Sequence, residues 1–340
     1  MKRTQRPSEQ TLAAFGELRL IERIRKKVLS QGETGEKLVV EGIGDDTAVL
    51  KWEKDWWLLL TCDTLVEGVH FVKGTAAYRV GWKAMGCNLS DIAAMGGIPL
   101  YAVVSLACPA GTAVGGIDEM YAGMMNLARR FGVSIVGGDT VESPGGLCVT
   151  VALIGKVEKN RHVARSGAKP GDAICVTGRL GGSLLGKHLA FIPRVEEGRA
   201  LATKCSPSAM IDISDGLASD LLKLLEASGV SAEISEDAIP VSEDAVRFAK
   251  QTGRSPVEHA LQDGEDFELL FTLPEEKVGR CLRLFRRSLS TPMTVIGKVK
   301  KGRKKPLLKR AEGSSVVLEA RGYKHFQSLP AAARKVRRSV

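Results

Sequence analysis

Aspartates in glycine-rich junctions are the residues of this 340-residue sequence whose types and spacing could do chemistry. They lie beside apolar runs, at Asp45 and Asp46 in GIGDDTAVL, Asp63 in TCDTLVEGVHF, Asp91 in NLSDIAAMGG, Asp139 in VGGDT, and Asp212 and Asp215 in IDISDG. A carboxylate beside a buried strand is costly unless it is paired or bound to a cation. Two such charges about 4 Å apart repel by roughly 4 kcal/mol at an effective dielectric near 20, so a convergent set needs a counter-ion.

Mg²⁺ is the counter-ion that this set favours. Hard divalent cations take oxygen ligands, and Mg²⁺ usually bridges a few carboxylates to the phosphates of a substrate. The seven cysteines are scattered without a Cys-x-x-Cys pair, which argues against a zinc site and a disulfide framework. Each aspartate alone also fits a turn or a cap, and Asp215 before Gly216 could cap the following helix. The pattern therefore predicts a Mg²⁺–phosphate site only if the segments meet in space.

A near-match to the P-loop spans Gly181 to His188, with the sequence GGSLLGKH. It fits G-x-x-x-x-G-K, but His188 stands where a P-loop has the Ser or Thr whose hydroxyl ligates Mg²⁺. We interpret it as a chance match, in which the glycines allow a tight turn and close packing of a helix.

The bulk composition is that of a globular protein with room for two domains. No apolar run approaches the length of a membrane span, and no apolar segment follows the basic N-terminus, so we expect a cytoplasmic protein that does not contact a membrane. The net charge is +10, with basic residues concentrated at 298–310 and 334–338. No nucleic-acid motif or interleaved aromatic residue accompanies them, so we interpret them as solvated segments and expect no nucleic-acid partner.

Alternating helical and strand patterns surround the aspartates and predict an α/β fold. Helices are predicted at 11–31, 78–95, 117–131, 183–190 and after 216, and strands at 47–50, 56–60, 100–107, 133–136, 147–156, 173–177 and 293–299. The turn-forming segment at 166–172 (SGAKPGD) separates two halves of similar size. We therefore predict an N-terminal domain over residues 1–160 and a C-terminal domain over residues 161–340.

In this order, the segments GIGDD, TCDTLVEGVHF, NLSDIAAMGG, VGGDT, RSGAKPGD, IDISDGLASDL and DGEDFELLFT resemble those of the thiamine-monophosphate kinases. The resemblance covers roughly residues 15–326, and the motifs are specific in combination. It implies an N-terminal mixed sheet with helices that pairs into a barrel in a homodimer, and a C-terminal α/β sandwich that completes the active site. It also implies transfer of the ATP γ-phosphate to thiamine monophosphate, giving thiamine diphosphate and ADP.

The resemblance assigns roles residue by residue. Several Mg²⁺ ions would be held by Asp46, Thr61, Cys62, Asp63, Asp91, Asp139, Asp212 and Asp215, with Asp63, Asp91 and Asp139 central to catalysis. Cys62 stands where the family often has Ser or Thr, and its backbone carbonyl could serve instead. The nucleotide would contact Tyr121, Gly138, Asp139, Arg165 and Ser214. The substrate would contact His70, Glu265 and the aromatic Tyr323.

Three other functions remain open at this point. Selenophosphate synthetase would need a reactive cysteine on a glycine-rich N-terminal segment, and residues 1–40 contain none. Aminoimidazole ribonucleotide synthetase would need a different glycine- and lysine-bearing segment after Asp63, where this chain has TLVEG. A non-catalytic nucleotide- or nucleic-acid-binding protein is suggested by the basic C-terminal third, and the complete aspartate set argues against it.

Overall fold

Two β-sheets, each with helices packed on it, make up the computed structural model, which describes residues 11–29, 36–322 and 325–326. This agrees with the predicted two-domain α/β fold. The predicted boundary between residues 160 and 161 lies in the segment that joins the last strand of the first sheet to the first strand of the second. In the part of the chain that is described, no helix combines the length and apolar character needed to cross a bilayer.

The N-terminal sheet is mixed, as predicted. Its six strands run in the order β1-β2-β3-β6-β4-β5 and are β1 (Val39–Glu41), β2 (Ala48–Lys51), β3 (Trp56–Val66), β4 (Ile98–Cys108), β5 (Ser134–Glu142) and β6 (Cys148–Glu158). Strands β4 and β5 are parallel, and the other neighbours are antiparallel. Burial alternates along β3, where Trp57 and Leu59 are buried, because successive side chains point to opposite faces.

Helices α3 (Ala77–Ala94) and α4 (Val114–Arg130) cover one face of this sheet and pack closely on each other. The close approach requires glycine: a Cβ on Gly81 would lie 1.8 Å from the Met120 carbonyl oxygen, and one on Gly123 would lie 2.0 Å from that of Tyr78. The tight pair holds α3, which carries Asp91, firmly against the sheet. The opposite face of the sheet is exposed in the single chain.

The C-terminal sheet is covered on both faces. Its strands run in the order β13-β12-β9-β11-β7-β10-β8 and are β7 (Ala173–Thr177), β8 (Ala209–Asp212), β9 (Ser231–Ser235), β10 (Leu269–Leu273), β11 (Met293–Lys300), β12 (Leu307–Lys309) and β13 (Ser315–Val317). The helices of this half are α5 (Val195–Ala200), α6 (Leu217–Ser228), α7 (Glu243–Thr252), α8 (Pro256–Gln262) and α9 (Glu275–Ser288). Strands β7 and β10 are buried throughout, which agrees with the predicted sandwich.

Two predicted helices differ from the structure, and glycine is the reason in both. The helix expected over residues 11–31 is divided into α1 (Leu12–Phe15) and α2 (Glu17–Leu29), because Gly16 has a φ of +83°. The helix expected over residues 183–190 was wrong: two single 3₁₀ turns, Ser183–Leu185 and Lys187–Leu189, flank Gly186, whose φ is +128°.

Candidate functional site

Three of the predicted aspartates meet at the junction between the two sheets. Carboxylate oxygens of Asp46, Asp91 and Asp212 all lie within 4.8 Å of one another. Asp46 precedes β2, Asp91 lies near the C-terminal end of α3, and Asp212 ends β8. We call these three residues the aspartate cluster. Both halves of the chain contribute to it, so it forms only when they pack together.

Each carboxylate of the aspartate cluster is held by a side chain next to it. Asp91 accepts a hydrogen bond from the Thr61 hydroxyl at 2.5 Å. Asp212 accepts one from the Ser90 hydroxyl at 2.6 Å, across the boundary between the halves. Asp46 accepts one from the Arg165 guanidinium, also at 2.6 Å. The carboxylates are therefore oriented before any ligand binds.

The electrostatics of the aspartate cluster favour a cation. Burial, together with the neighbouring carboxylates, raises the pKa of Asp91 and of Asp212 well above the usual range. Asp46 has one carboxylate oxygen, Oδ2, that is buried and makes no hydrogen bond to any described residue. A buried acceptor without a donor, beside two further carboxylates, fits a hard divalent cation with oxygen ligands.

Asp63 and Asp215 lie at the edge of the aspartate cluster. Burial raises the pKa of Asp63, and the charges of Asp46 and Asp215 raise it further, so these groups are close in space. Lys223 Nζ lies 2.6 Å from Asp215 Oδ2 and partly compensates that charge. Asp63 is therefore the better placed of the two to share a cation with the cluster.

Cys62 and Asp139 lie on the other face of the N-terminal sheet. Cys62 is exposed and alternates with the inward-facing neighbours Thr61 and Asp63 along β3. Asp139 is linked to this face by a row of paired residues. It pairs with Ser105, Ser105 pairs with Thr150, and the Thr150 hydroxyl lies 2.8 Å from that of Thr64, which is on the same face of β3 as Cys62. The single chain therefore does not bring these two predicted ligands to the aspartate cluster, and their metal role stays a prediction.

The residues predicted to contact the nucleotide are spread over several elements. Arg165 adjoins the aspartate cluster through Asp46, and its backbone N–H donates to Asp45. The Ser214 carbonyl accepts a hydrogen bond from the Glu265 N–H at 2.7 Å, which joins the loop after β8 to the loop before β10. Gly138 leaves no room for a Cβ, which would lie 1.9 Å from the Val104 carbonyl oxygen. Tyr121 is half-buried on α4 against the N-terminal core.

A pocket between the halves contains two of the predicted substrate residues, His70 and Glu265. It is lined by residues 68–72, Thr75, Leu184, His188, Leu189 and Glu265. His70 Nδ1 accepts a hydrogen bond from the Val66 N–H at 2.9 Å, and the His70 ring lies 5.4 Å from that of His325. Tyr323, the third predicted substrate residue, lies outside the described residues.

The near P-loop at 181–188 does not have free backbone N–H groups at Gly181 and Gly182 that could bind a phosphate. The Gly181 N–H donates to both oxygens of the Asp266 carboxylate at 3.0 Å, and the Gly182 N–H donates to Asp263. A Cβ on Gly181 would lie 2.5 Å from the Ala260 backbone. The glycines serve a tight turn against α7 and α8, as expected for a chance match.

Sequence reasoning missed Lys83 and His188, which both lie at the pocket or beside it. Lys83 is 1% exposed within α3, and its ammonium contacts Glu265. A lysine within a helix of small and apolar residues was the available signal, because a fully buried lysine needs a partner. His188 belongs to the near P-loop, which we interpreted as a chance match, and that motif does not indicate that His188 lines the pocket.

Comparisons with known proteins identify relatives over most of the chain. Residues 44–157 match the family AIR synthase related protein, N-terminal domain, and residues 169–308 match its C-terminal domain. The thiamine-monophosphate kinase of Rhodopirellula baltica is 41% identical over 77% of this chain and 84% of its own. That of Bacillus subtilis is 38% identical over 84% of this chain and 93% of its own.

A solved structure described as AaThiL complexed with AMPPCP and TMP has the same fold. Its TM-score is 0.79 at 32% sequence identity, with 95% of this chain and 100% of that chain covered. The similarity extends over both halves of the molecule, so it includes the junction at which the aspartate cluster forms.

Proposed function

The chain belongs to the thiamine-monophosphate kinase family of AIR synthase related proteins, and from this premise we propose that it transfers the γ-phosphoryl group of ATP to thiamine monophosphate. The products would be thiamine diphosphate and ADP. The observation that carries the proposal is the aspartate cluster, assembled from both halves in a chain whose pocket contains His70 and Glu265. The related structure described as a complex with AMPPCP and TMP supports both substrates.

Mg²⁺ is the proposed metal, and the donor set fits it. The aspartate cluster, together with Asp63, would hold it, and the buried Asp46 Oδ2, which accepts no hydrogen bond from a described residue, suits a metal ligand. Asp215 and Thr61 are proposed as further contacts at the edge. When bound, Mg²⁺ would supply the positive charge that neutralises the charge of the phosphates.

The chain's own residues would act by positioning rather than by proton transfer. The acceptor is a phosphate oxygen that is largely deprotonated near neutral pH, so direct in-line transfer needs no strong general base. Arg165 carries a planar guanidinium fixed by Asp46 and by the Gly44 carbonyl, and such a fork suits a phosphate. Gly138, Ser214 and Tyr121 are proposed nucleotide contacts.

The pocket is the proposed site for the thiamine portion. His70 lies on the N-terminal side of the pocket, and Glu265 on the C-terminal side. The Val66 N–H donates to His70 Nδ1, so the neutral ring carries its proton on Nε2. Tyr323 is proposed to enclose the substrate from the C-terminal segment. Cytoplasmic location stays a prediction.

A homodimer is proposed through the bare face of the N-terminal sheet, which is the face that α3 and α4 do not cover. The side chains of Leu60, Ile154 and Tyr101 form one row across β3, β6 and β4 and are 41%, 36% and 51% exposed. An apolar patch of this kind on a sheet is typical of a protein interface. Cys62 and Asp139 share this face, so we expect their proposed contacts with metal and nucleotide to depend on dimer formation.

Equilibrium binding tests the proposal without relying on turnover. Calorimetric titration should show that a non-hydrolysable ATP analogue binds in Mg²⁺ and at least tenfold more weakly in EDTA, and that thiamine monophosphate binds the protein. Thiamine without a phosphate should bind more weakly than the monophosphate. Failure of thiamine monophosphate to bind in the presence of nucleotide and Mg²⁺ would contradict the proposal.

A further inference from the structure

Lys83 occupies an unusual position in the middle of α3. It is 1% exposed, yet it carries an ammonium group inside the protein. Its Nζ lies 2.8 Å from each carboxylate oxygen of Glu265 and 2.8 Å from the His70 carbonyl oxygen. A lysine ammonium has three hydrogens, so these contacts account for all of its donors.

The groups that Lys83 contacts belong to the two sides of the pocket. Glu265 comes from the loop before β10 in the C-terminal half, and His70 comes from the loop after β3 in the N-terminal half. Lys83 itself lies on α3, and its ammonium contacts both of them. One ammonium therefore fixes the separation of the two sides and the direction of the Glu265 carboxylate.

The local backbone of Glu265 is held in an unusual conformation. Glu265 has a φ of +55°, a left-handed conformation that is unfavourable for a residue with a side chain. Its N–H is held by the Ser214 carbonyl at 2.7 Å, and a Cβ on Gly264 would lie 2.7 Å from the same oxygen. Backbone and side chain are thus fixed by separate contacts, which suits a group that must meet a ligand in one orientation.

We propose that Lys83 is a positioning residue for recognition of the thiamine portion of the substrate, acting through Glu265 and the His70 loop. The inference rests on the proposed function and deepens it. A charge pair that only fastened the halves together would not need to contact both sides of the pocket. Breaking such a pair leaves an uncompensated buried charge, so stability alone cannot separate the two roles.

The chain offers a matched control in Arg199. It lies on α5 and joins the halves through the Glu158 carboxylate at 2.6 and 2.9 Å, and it donates to the Gly96 carbonyl at 2.7 Å. The pattern of one cation, one carboxylate and one carbonyl repeats that of Lys83. No residue of this second group lines the pocket.

The test compares Lys83→Met with Arg199→Met in the full chain. Both should lower the melting temperature. Lys83→Met should raise Kd and KM for thiamine monophosphate at least tenfold and change Kd for the ATP analogue less than twofold. Arg199→Met should change Kd for neither ligand more than twofold.

A double variant, Lys83→Met/Glu265→Gln, tests whether the two residues act together. Its loss of thiamine monophosphate affinity should not exceed that of the worse single variant, because both changes remove the same recognition.

Three outcomes would overturn the inference, and they are distinguishable. If Lys83→Met binds thiamine monophosphate as wild type does, Lys83 has a structural role only. The same holds if Lys83→Met weakens the binding of both ligands equally, as a general loss of folded protein would. Wild-type protein that binds no thiamine monophosphate overturns the proposed function, and this inference with it. The melting temperatures show that each binding experiment is made on folded protein.

Discussion

The Asp91→Asn substitution removes one charge from the aspartate cluster and keeps the size of the side chain. The amide oxygen of asparagine can still accept the hydrogen bond from Thr61. We expect opposite effects in two conditions. Without metal, the variant should be more stable than wild type, because fewer like charges are confined together. With Mg²⁺, it should lose most of the stabilisation that wild type gains.

The magnitude follows from the spacing of the carboxylates. Two unit charges at the 4.8 Å limit repel by about 3.5 kcal/mol at an effective dielectric of 20, and Asp91 faces both Asp46 and Asp212. Proton uptake limits this cost, because burial and the neighbouring carboxylates raise the pKa of Asp91 and so favour its neutral form. The net gain in unfolding free energy for the metal-free variant should therefore be about 1–3 kcal/mol at most.

The pH dependence gives the sign of the effect. A carboxyl whose pKa is raised by folding contributes stability below its unfolded pKa of about 4, and this is lost as the pH rises through the folded value. The advantage of Asp91→Asn without metal should thus be larger near pH 8 than near pH 5. Stabilisation of the wild type by Mg²⁺ should also grow over this range, since the cation competes with protons for the same oxygens.

Differential scanning calorimetry in EDTA and in excess Mg²⁺, at about pH 5 and about pH 8, measures all four conditions. Asp237→Asn serves as the control, because it removes an exposed carboxylate on the C-terminal half and should shift stability little in either condition. A variant that is less stable than wild type in EDTA near pH 8 would contradict the proposed repulsion among these carboxylates. Equal stabilisation of variant and wild type by Mg²⁺ would contradict the proposed metal site.

Two further predictions concern the bare face of the N-terminal sheet. Asp139→Asn should reduce turnover at least a hundredfold with an unchanged melting temperature, as measured by thiamine diphosphate formation; near-wild-type turnover would remove Asp139 from the site. Val103→Lys, which places a charge in the exposed apolar face, should convert a dimer into a monomer in light scattering. A Val103→Ala control should stay dimeric, and a wild type that is already monomeric would contradict the proposed interface.

The aspartates of the site could be predicted because each lies in a glycine-rich junction, and this pattern is visible in the sequence. The convergence of Asp46, Asp91 and Asp212 could not be predicted from spacing, since it depends on how the two halves pack. The face of the sheet on which Asp139 lies could not be predicted either. A shift of one residue in strand register exchanges the two faces, and the sequence alone does not fix that register.

Other differences have local causes. The expected helix at 183–190 had suitable residues, but the positive φ of Gly186 prevents continuation, and composition does not reveal which glycines adopt it. Lys83 could be seen as an unusual residue in α3, whereas its partners, Glu265 and the His70 carbonyl, are 182 and 13 positions away in the chain. Long-range pairing of a buried charge becomes visible only in three dimensions.

The most direct test of the central claim is the fate of the phosphoryl group. Purified protein is incubated with ATP and thiamine monophosphate, with Mg²⁺ or with EDTA, and the reaction is followed by ³¹P NMR. We predict thiamine diphosphate and ADP in equal amounts with Mg²⁺, and neither with EDTA. Release of orthophosphate with ADP but without thiamine diphosphate, or no consumption of thiamine monophosphate, would contradict the proposed phosphoryl transfer.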